Sequence, residues 1–314
     1  MLNIAIFGIG AMGTLFGSRL DSLAHVTLFG NWPEQIAALR HEGLTVTQPD
    51  GTQSHHMLAV TNNLREMPPA DIALVLVKSH QTAKVAQQVA KILRPNGLAI
   101  TLQNGLGNLE ELVTIIGKKR TTLGVTAQGA TILAPGQLRH AGFGTTYLAL
   151  TPSRKKQLHE VADLFNAASI ETTLVDNPDS IVWGKLAINA GINPLTALLE
   201  LPNGALTEDE TLRGVMSAAA NEVAKVAAAL GVRLPFSDAA SRTAEVCRST
   251  ATNRSSMLQD MKRSAPTEID AICGVVVRFG QRLGVPTPVN ERLLHLVHAK
   301  EAGRRPAFSL SAIS

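Results

Sequence analysis

Lys185, Asn189 and Asn193 follow one another at intervals of four residues in Trp183-Gly184-Lys185-Leu186-Ala187-Ile188-Asn189-Ala190-Gly191-Ile192-Asn193-Pro194. On an α-helix that spacing lines one face, so an ammonium and two amides would project together. The third member depends on the turn continuing, because Asn193-Pro194 also reads as a plain stop signal. The neighbours Leu186, Ala187, Ile188, Ala190 and Ile192 are apolar. Polar groups in such company need partners, since unpaired ones are costly away from water. A lysine near a hydrophobic cleft has a lowered pKa and can donate a proton at neutral pH. A capped helix end would account for Asn193 but leaves Lys185 unexplained.

A distant acid stands in Pro266-Thr267-Glu268-Ile269-Asp270, soon after Arg254-Ser255-Ser256-Met257-Leu258-Gln259-Asp260-Met261. Ser255 or Ser256 can N-cap the first of two helices there, and Thr267 the second. Glu268 in a first helical turn is favoured by the helix dipole, which is as good a reading as a catalytic one.

A second kind of chemistry is written at the N-terminus. Gly8-Ile9-Gly10-Ala11-Met12-Gly13 follows an apolar strand directly and opens an apolar helix. Gly8 permits the tight turn, Gly10 lets backbone approach a pyrophosphate, and Gly13 allows close helix–strand packing. Amides at the helix start then face the anion. Strand before and helix after is the context that makes a G-x-G-x-x-G a dinucleotide cradle. At the end of the next strand, Phe29-Gly30-Asn31-Trp32 offers neither the acid that holds an NAD ribose nor the arginine that holds a 2′-phosphate. The missing carboxylate leans toward NADP(H) and leaves NAD(H) open; Arg40 reads as a solvated helix residue. Lys78-Ser79-His80-Gln81 and Asn104-Gly105 lie at later strand ends, where α/β sheets place ligand contacts. Asn-Gly is also ordinary turn chemistry.

These residues need elements to position them. Apolar runs at Asn3–Phe7, His25–Phe29, 72–77, 98–102 and Thr121–Thr126 read as strands buried on both faces. Helical periods lie between several of them, at 11–23, Pro33–His41, 81–93 and Asn108–Ile116. Strand–helix alternation of this kind predicts a parallel sheet covered by helices, an α/β Rossmann-type domain. Residues 137–140 and 145–149, separated by Ala141-Gly142-Phe143-Gly144, read as an antiparallel hairpin at the sheet edge. From about Asn177 the pattern is helical only, at 179–190, 209–230, 238–249, 255–261, 268–283 and 288–302. The expected division is 1–176 for the dinucleotide-binding domain and 177–314 for an all-α substrate and catalytic domain. The tail after Arg304, with Pro306 and three serines, is expected to fray.

Composition closes other routes. The 314 residues are 45% hydrophobic with a net charge of +4, which excludes intrinsic disorder. Unbroken apolar runs fall well short of the roughly 20 residues that span a bilayer. The 29 basic against 25 acidic residues are a mild excess, with Lys118-Lys119-Arg120, Arg154-Lys155-Lys156 and Arg304-Arg305 reading as solvated charges and not as a nucleic-acid surface. Cys247 and Cys273 make no disulfide framework and read as small buried hydrophobes. With the chain opening on a strand and no secretory signal pattern, a cytoplasmic setting is expected. Among nine histidines, His55-His56 point apart, and His295 and His298 have only Glu291 nearby, so no metal site is expected.

Taken together, the motifs resemble the 2-dehydropantoate 2-reductase (ketopantoate reductase) family from residue 1 to about 303. The likeness is carried by the glycine loop, Val77-Lys78-Ser79-His80-Gln81, Leu102-Gln103-Asn104-Gly105 and the Lys185–Asn189–Asn193 segment. Pro202-Asn203-Gly204 and the Ser255–Asp260 and Thr267–Asp270 blocks complete it. The resemblance implies NADPH-dependent reduction of 2-dehydropantoate to (R)-pantoate on the way to pantothenate and coenzyme A. It implies Lys185 as proton donor to the ketone oxygen, and Glu268 beside the developing hydroxyl and the cofactor. Gly8, Ile9, Gly10, Ala11, Met12, Gly13, Asn31, Lys78, Asn104, Gly129 and Glu268 would contact the cofactor. Asn104, Lys185, Asn189, Asn193, Asn203 and Ser256 would contact the substrate. Asn31 departs from the arginine common there in the family, so the implied NADP preference is open. A related reductase of another 2-oxo or 3-hydroxy acid is the competing expectation, and a homodimer is compatible with either.

Overall fold

The computed structural model describes residues 1–304, so the fraying expected of the tail lies outside the described residues. The chain divides into two compact units, one formed by Met1–Gln103 with Asn108–Pro178, the other by Asn104–Gly107 with the chain from Asp179 onward. Four residues that follow a strand of the first unit therefore belong to the second.

The first unit is built on β1 (Asn3–Phe7), α1 (Ala11–Leu20), β2 (His25–Phe29), α2 (Pro33–His41), β3 (Leu44–Thr47), β4 (Gln53–His56), β5 (Ala59–Thr61), β6 (Ala70–Val75), α3 (Thr82–Ile92), β7 (Leu93–Thr101), α4 (Asn108–Ile116), β8 (Thr121–Thr126), β9 (Gly129–Ala134), β10 (Gln137–Gly142), β11 (Thr146–Ala149), α5 (Lys155–Ala167) and β12 (Thr172–Val175). Eight strands form one sheet in the order β12-β11-β8-β7-β6-β1-β2-β5. Every pairing in it is parallel except β11 with β8. Alternation explains why its strands read as unbroken apolar runs. Ile4, Ile6, Ile72, Leu74, Leu98 and Ile100 enter the core on one face, while Ala5, Phe7, Ala73, Val75 and Ala99 enter the core on the other.

A smaller sheet, β4-β3-β10-β9, overturns the expected edge hairpin. β10 pairs with β9 and β3, whereas β11 pairs with β8 and β12, so the two strands read as partners lie in different sheets. Gly144 between them serves close approach instead of a turn. A Cβ on Gly144 would lie 2.5 Å from the Ala127 carbonyl oxygen, and Gln128 Nε2 donates to the Gly144 carbonyl at 2.7 Å.

The second unit comprises α6 (Asp179–Leu199), α7 (Ala205–Glu208), α8 (Glu210–Ala229), α9 (Ala239–Ser249), α10 (Ser256–Lys262), a π turn (Asp270–Gly274), α11 (Val275–Leu283) and α12 (Pro288–Glu301). No strand occurs in it among the described residues. Helix α6 runs through Pro194 instead of stopping at Asn193. Proline removes one amide donor to the preceding turn, but Pro194 is buried where α6 packs against α8, α9, α10 and α12. Thr196 Oγ1 lies 3.0 Å and 3.1 Å from the Ile192 and Asn193 carbonyl oxygens in that turn. Tertiary packing overrides the local stop signal, and the interval of four is kept as far as Asn193.

Candidate active site

The glycine loop has a separate geometric reason for each glycine. Gly8 has φ of +125°, and a Cβ there would meet the Leu76 carbonyl oxygen at 2.6 Å. A Cβ on Gly13 would fall 1.9 Å from the Gly8 carbonyl oxygen, so helix and strand touch through backbone. Above Gly10 a Cβ would meet nothing within 4 Å. Gly10 starts α1 in an extended conformation, and no side chain caps that helix. Open space at Gly10 beside uncapped helix-start amides is what a diphosphate requires, so the residues present fit a dinucleotide. Ile9 is buried and fills the space where a Gly30 Cβ would stand, while Ala11 and Met12 are half-buried.

Asn31 is exposed just beyond β2. Arg40 is not simply solvated: its Nε donates to the Val60 carbonyl at 3.1 Å. Lys78 is half-buried after β6, and Gly129 opens β9 with its Cα facing Gly142. Gln103 stands in the Leu102–Gly105 motif, where its sequence neighbours give it no role. Its Nε2 donates to the Val77 carbonyl at 2.9 Å and to Thr82 Oγ1 at 2.8 Å, and its Oε1 accepts from Thr101. Thr82 passes the chain on to Asn108 Oδ1 at 2.9 Å. One glutamine thereby pins the carboxyl ends of β6 and β7 to the start of α3 and α4. Its polar type at the end of an apolar strand was the available signal.

In the helical unit, Lys185 is half-buried on α6 and its pKa is lowered to about 8. Loss of water around the ammonium drives the shift, and the negative charge of Glu268 opposes it. Glu268 is itself only 6% exposed. Glu268 stands directly ahead of the helical turn, where the dipole favours an acid, and it is buried there instead of solvated. Asn104 Nδ2 donates to Glu268 Oε2 at 3.4 Å, joining residues 164 positions apart. The loop that carries Asn104 is fixed on the π turn. Gly105 has φ of +80°, a Cβ on it would strike the Ala271 carbonyl oxygen at 2.3 Å, and the Leu106 amide donates to that same oxygen at 3.1 Å.

The other amides are held to different degrees. Asn193 is buried and Asn189 half-buried on α6. Asn203 is buried, with Nδ2 donating to Thr250 Oγ1 at 2.9 Å, while its Oδ1 has no partner among the described residues. Of the two serines offered as a cap, Ser255 is the one: its Oγ accepts from the Leu258 amide at 3.1 Å. Ser255 Oγ and Thr196 Oγ1 share a hydrogen bond of 2.7 Å, which ties α10 to α6. Ser256 is exposed at the first position of α10. Among the described residues no three His, Cys, Asp or Glu side chains group as a metal site. His298 faces Asp270 at 3.2 Å, a partner the sequence did not suggest.

A parallel sheet with a phosphate cradle, and a helical unit with an ammonium, a carboxylate and several amides, define a dinucleotide-dependent oxidoreductase. Residues 4–153 match the family described as ketopantoate reductase PanE/ApbA, and residues 177–301 match its C-terminal part. The 2-dehydropantoate 2-reductase of Halobacterium salinarum is 35% identical over 298 residues, covering 94% of this chain and 98% of the relative. That of Archaeoglobus fulgidus is 34% identical over 302 residues, covering 96% and 98%. The chain belongs to the ketopantoate reductase family. A solved PanE/ApbA family ketopantoate reductase from Ralstonia eutropha JMP134 superposes with a TM-score of 0.87 at 30% identity, covering 96% of this chain and 99% of that one. A D-mandelate dehydrogenase solved with NADH and anilino(oxo)acetate gives 0.88 at 27% identity, covering 96% and 99%.

Proposed function

We propose that this chain reduces 2-dehydropantoate to (R)-pantoate with NADPH, in pantothenate synthesis ahead of coenzyme A. The observation that carries the reading is the half-buried Lys185 ammonium, with a pKa of about 8, under the influence of the buried Glu268 carboxylate. A nicotinamide, when bound, supplies the hydride for the carbonyl carbon. The protein must then stabilise and protonate the oxygen. With a pKa of about 8, Lys185 is mostly ammonium at neutral pH and holds a proton loosely enough to give it up. Glu268 favours that charged form, and Asn104, bonded to Glu268, orients the carboxylate.

Asn189, Asn193, Asn203 and Ser256, with Asn104 and Lys185, are proposed to hold the substrate's hydroxyl and carboxylate. The unpartnered Asn203 Oδ1 supports this as an acceptor for a hydroxyl. Gly8 to Gly13, Asn31, Lys78, Asn104, Gly129 and Glu268 are proposed to contact the cofactor. Two free, buried cysteines suit a reducing, cytoplasmic compartment, and among the described residues no helix is long and apolar enough to cross a membrane.

The test is initial rates with NADPH and NADH against 2-dehydropantoate, pyruvate, 2-oxoisovalerate and the 2-oxo acid of mandelate. A site that bonds the substrate hydroxyl rejects 2-oxoisovalerate, which lacks it, by several powers of ten. Equal efficiency with 2-dehydropantoate and 2-oxoisovalerate would overturn the substrate assignment. Preference for the mandelate acid would favour the related reductase instead.

A further inference from the structure

The last turn of α12 touches both segments that carry the proposed acid–base groups. Lys300 and Glu301 are neighbours in sequence and diverge by about 100° around the helix. Lys300 Nζ donates to the Ala197 and Leu198 carbonyls at 3.0 Å each, and to Glu200 Oε1 at 2.9 Å. Those carbonyls end α6, where helix geometry leaves acceptors without intrahelical donors. The chain leaves that end through Glu200 at φ of +60°. Glu301 Oε1 accepts the Thr267 amide at 2.7 Å. Thr267 is buried and directly precedes Glu268. One turn back along α12, His298 reaches Asp270, two residues beyond Glu268. Anchors from α12 therefore stand on either side of Glu268 in the chain.

The backbone between those anchors is irregular. Glu268 precedes a π turn at Asp270–Gly274, a wider winding that occurs mostly as single turns and frequently at functional sites. Within the segment, Thr267 Oγ1 accepts the Ile269 amide only at 3.3 Å. The shorter bond is the one from outside, to Glu301. We infer that Glu301 is a positioning residue for the reduction: it fixes the height of Glu268 against Lys185, while Lys300 ties the same turn to the helix that carries Lys185. This inference rests on the reading of Lys185 and Glu268 as the reacting pair.

A double-mutant cycle on the full chain tests it, reading kcat and KM for 2-dehydropantoate and the Kd of NADPH by fluorescence titration. Glu301→Ala is expected to lower kcat on the order of tenfold through a small misplacement of Glu268, with a smaller rise in the NADPH Kd, because most of the proposed cofactor contacts lie in the other unit. Glu301→Gln keeps an acceptor oxygen for the Thr267 amide and recovers most of that loss. In a Glu268→Gln background, removing Glu301 costs little more, because both changes act through one group. An effect of Glu301→Ala that persists undiminished in that background, or a Glu301→Gln as impaired as the alanine variant, overturns the inference and leaves the reading of Glu268 standing. A fully active Glu268→Gln overturns the reading, and the inference with it. Should Glu301→Ala fail to accumulate as folded protein, Glu301→Asp carries the same cycle, since its shorter side chain cannot hold the 2.7 Å bond in place.

Discussion

The sheet unit writes its proposed phosphate cradle in six consecutive residues, Gly8 to Gly13, while the helical unit gathers its proposed acid–base group from chain segments as much as 164 residues apart. The cradle works through backbone. Each glycine is set by a clash or an opening that a single Cβ would change, and no side-chain partner is needed. The acid–base group works through side chains whose properties exist only after folding. Lys185 acquires its lowered pKa from desolvation, against the opposing charge of Glu268, and Glu268 acquires its place from Asn104 and the π turn. Contiguous sites tolerate distant change, whereas assembled sites depend on every segment that supplies them.

The sharpest attempt to break this contrast is Lys185→Ala. Loss of a general acid should lower turnover about 10²- to 10⁴-fold, while NADPH affinity, measured by fluorescence titration, stays close to that of the parent. A variant that turns over normally removes the proton-donor role; one that loses NADPH affinity as well shows that the two sites are not separable. Glu268→Gln should act next most strongly, and its signature is a pH shift. The carboxylate raises the lysine pKa, so the neutral variant lets it fall below about 8. Reduction needs the ammonium form, so the decline in kcat on the alkaline side should begin at lower pH than in the parent. An alkaline limb that stays in place means that Lys185 and Glu268 are not coupled.

The same contrast explains what could be read before folding. The cradle was legible because glycine spacing and flanking apolar runs are local, and the Lys185 face was legible because a period of four is local. The end of α6 is not legible at Pro194, since the packing that carries the helix onward comes from α8, α9, α10 and α12. Burial of Glu268 was invisible, because an acid before a helical pattern looks like a dipole-favoured surface residue until Asn104 is brought to it and Gly105 packs on Ala271 in the same turn. The hairpin β3–β4 was missed despite Pro49-Asp50-Gly51, where Gly51 has φ of +86°, because its strands are short and its second strand carries no apolar alternation. Gln103 and Glu301 act on partners many positions away, and nothing near them in sequence names those partners.

A pair of alanine variants sharpens the account of the cradle with smaller effects. Gly13→Ala forces a Cβ against the Gly8 carbonyl oxygen, a backbone clash that cannot relax by rotamer. It should cost about 1–3 kcal/mol or more by the usual scale of overpacking, read as a fall of several degrees in Tm by calorimetry. Gly10→Ala meets nothing within 4 Å and should leave Tm alone. It should instead raise the NADPH Kd, because the added methyl occupies space the diphosphate needs. Equal Tm for both variants would contradict the packing role of Gly13, and an unchanged Kd for Gly10→Ala would contradict the cradle.

Asn31→Arg should have the smallest effect and bears on what the cradle leaves undecided. Asn31 is exposed beyond β2 and carries no charge, so this position offers no dedicated cation to a 2′-phosphate. An arginine at 31 would add a planar, doubly donating cation where only an amide stands. A hydrogen bond to a charged group contributes roughly 1.5–3 kcal/mol when well placed, and solvent exposure at this position holds the gain to the low end. The ratio of kcat/KM with NADPH to that with NADH should therefore rise about tenfold, with kcat itself unchanged because the acid–base group lies in the other unit. A ratio that does not move means that 2′-phosphate recognition lies elsewhere, in which case Lys78, half-buried at the end of β6, becomes the residue to change next.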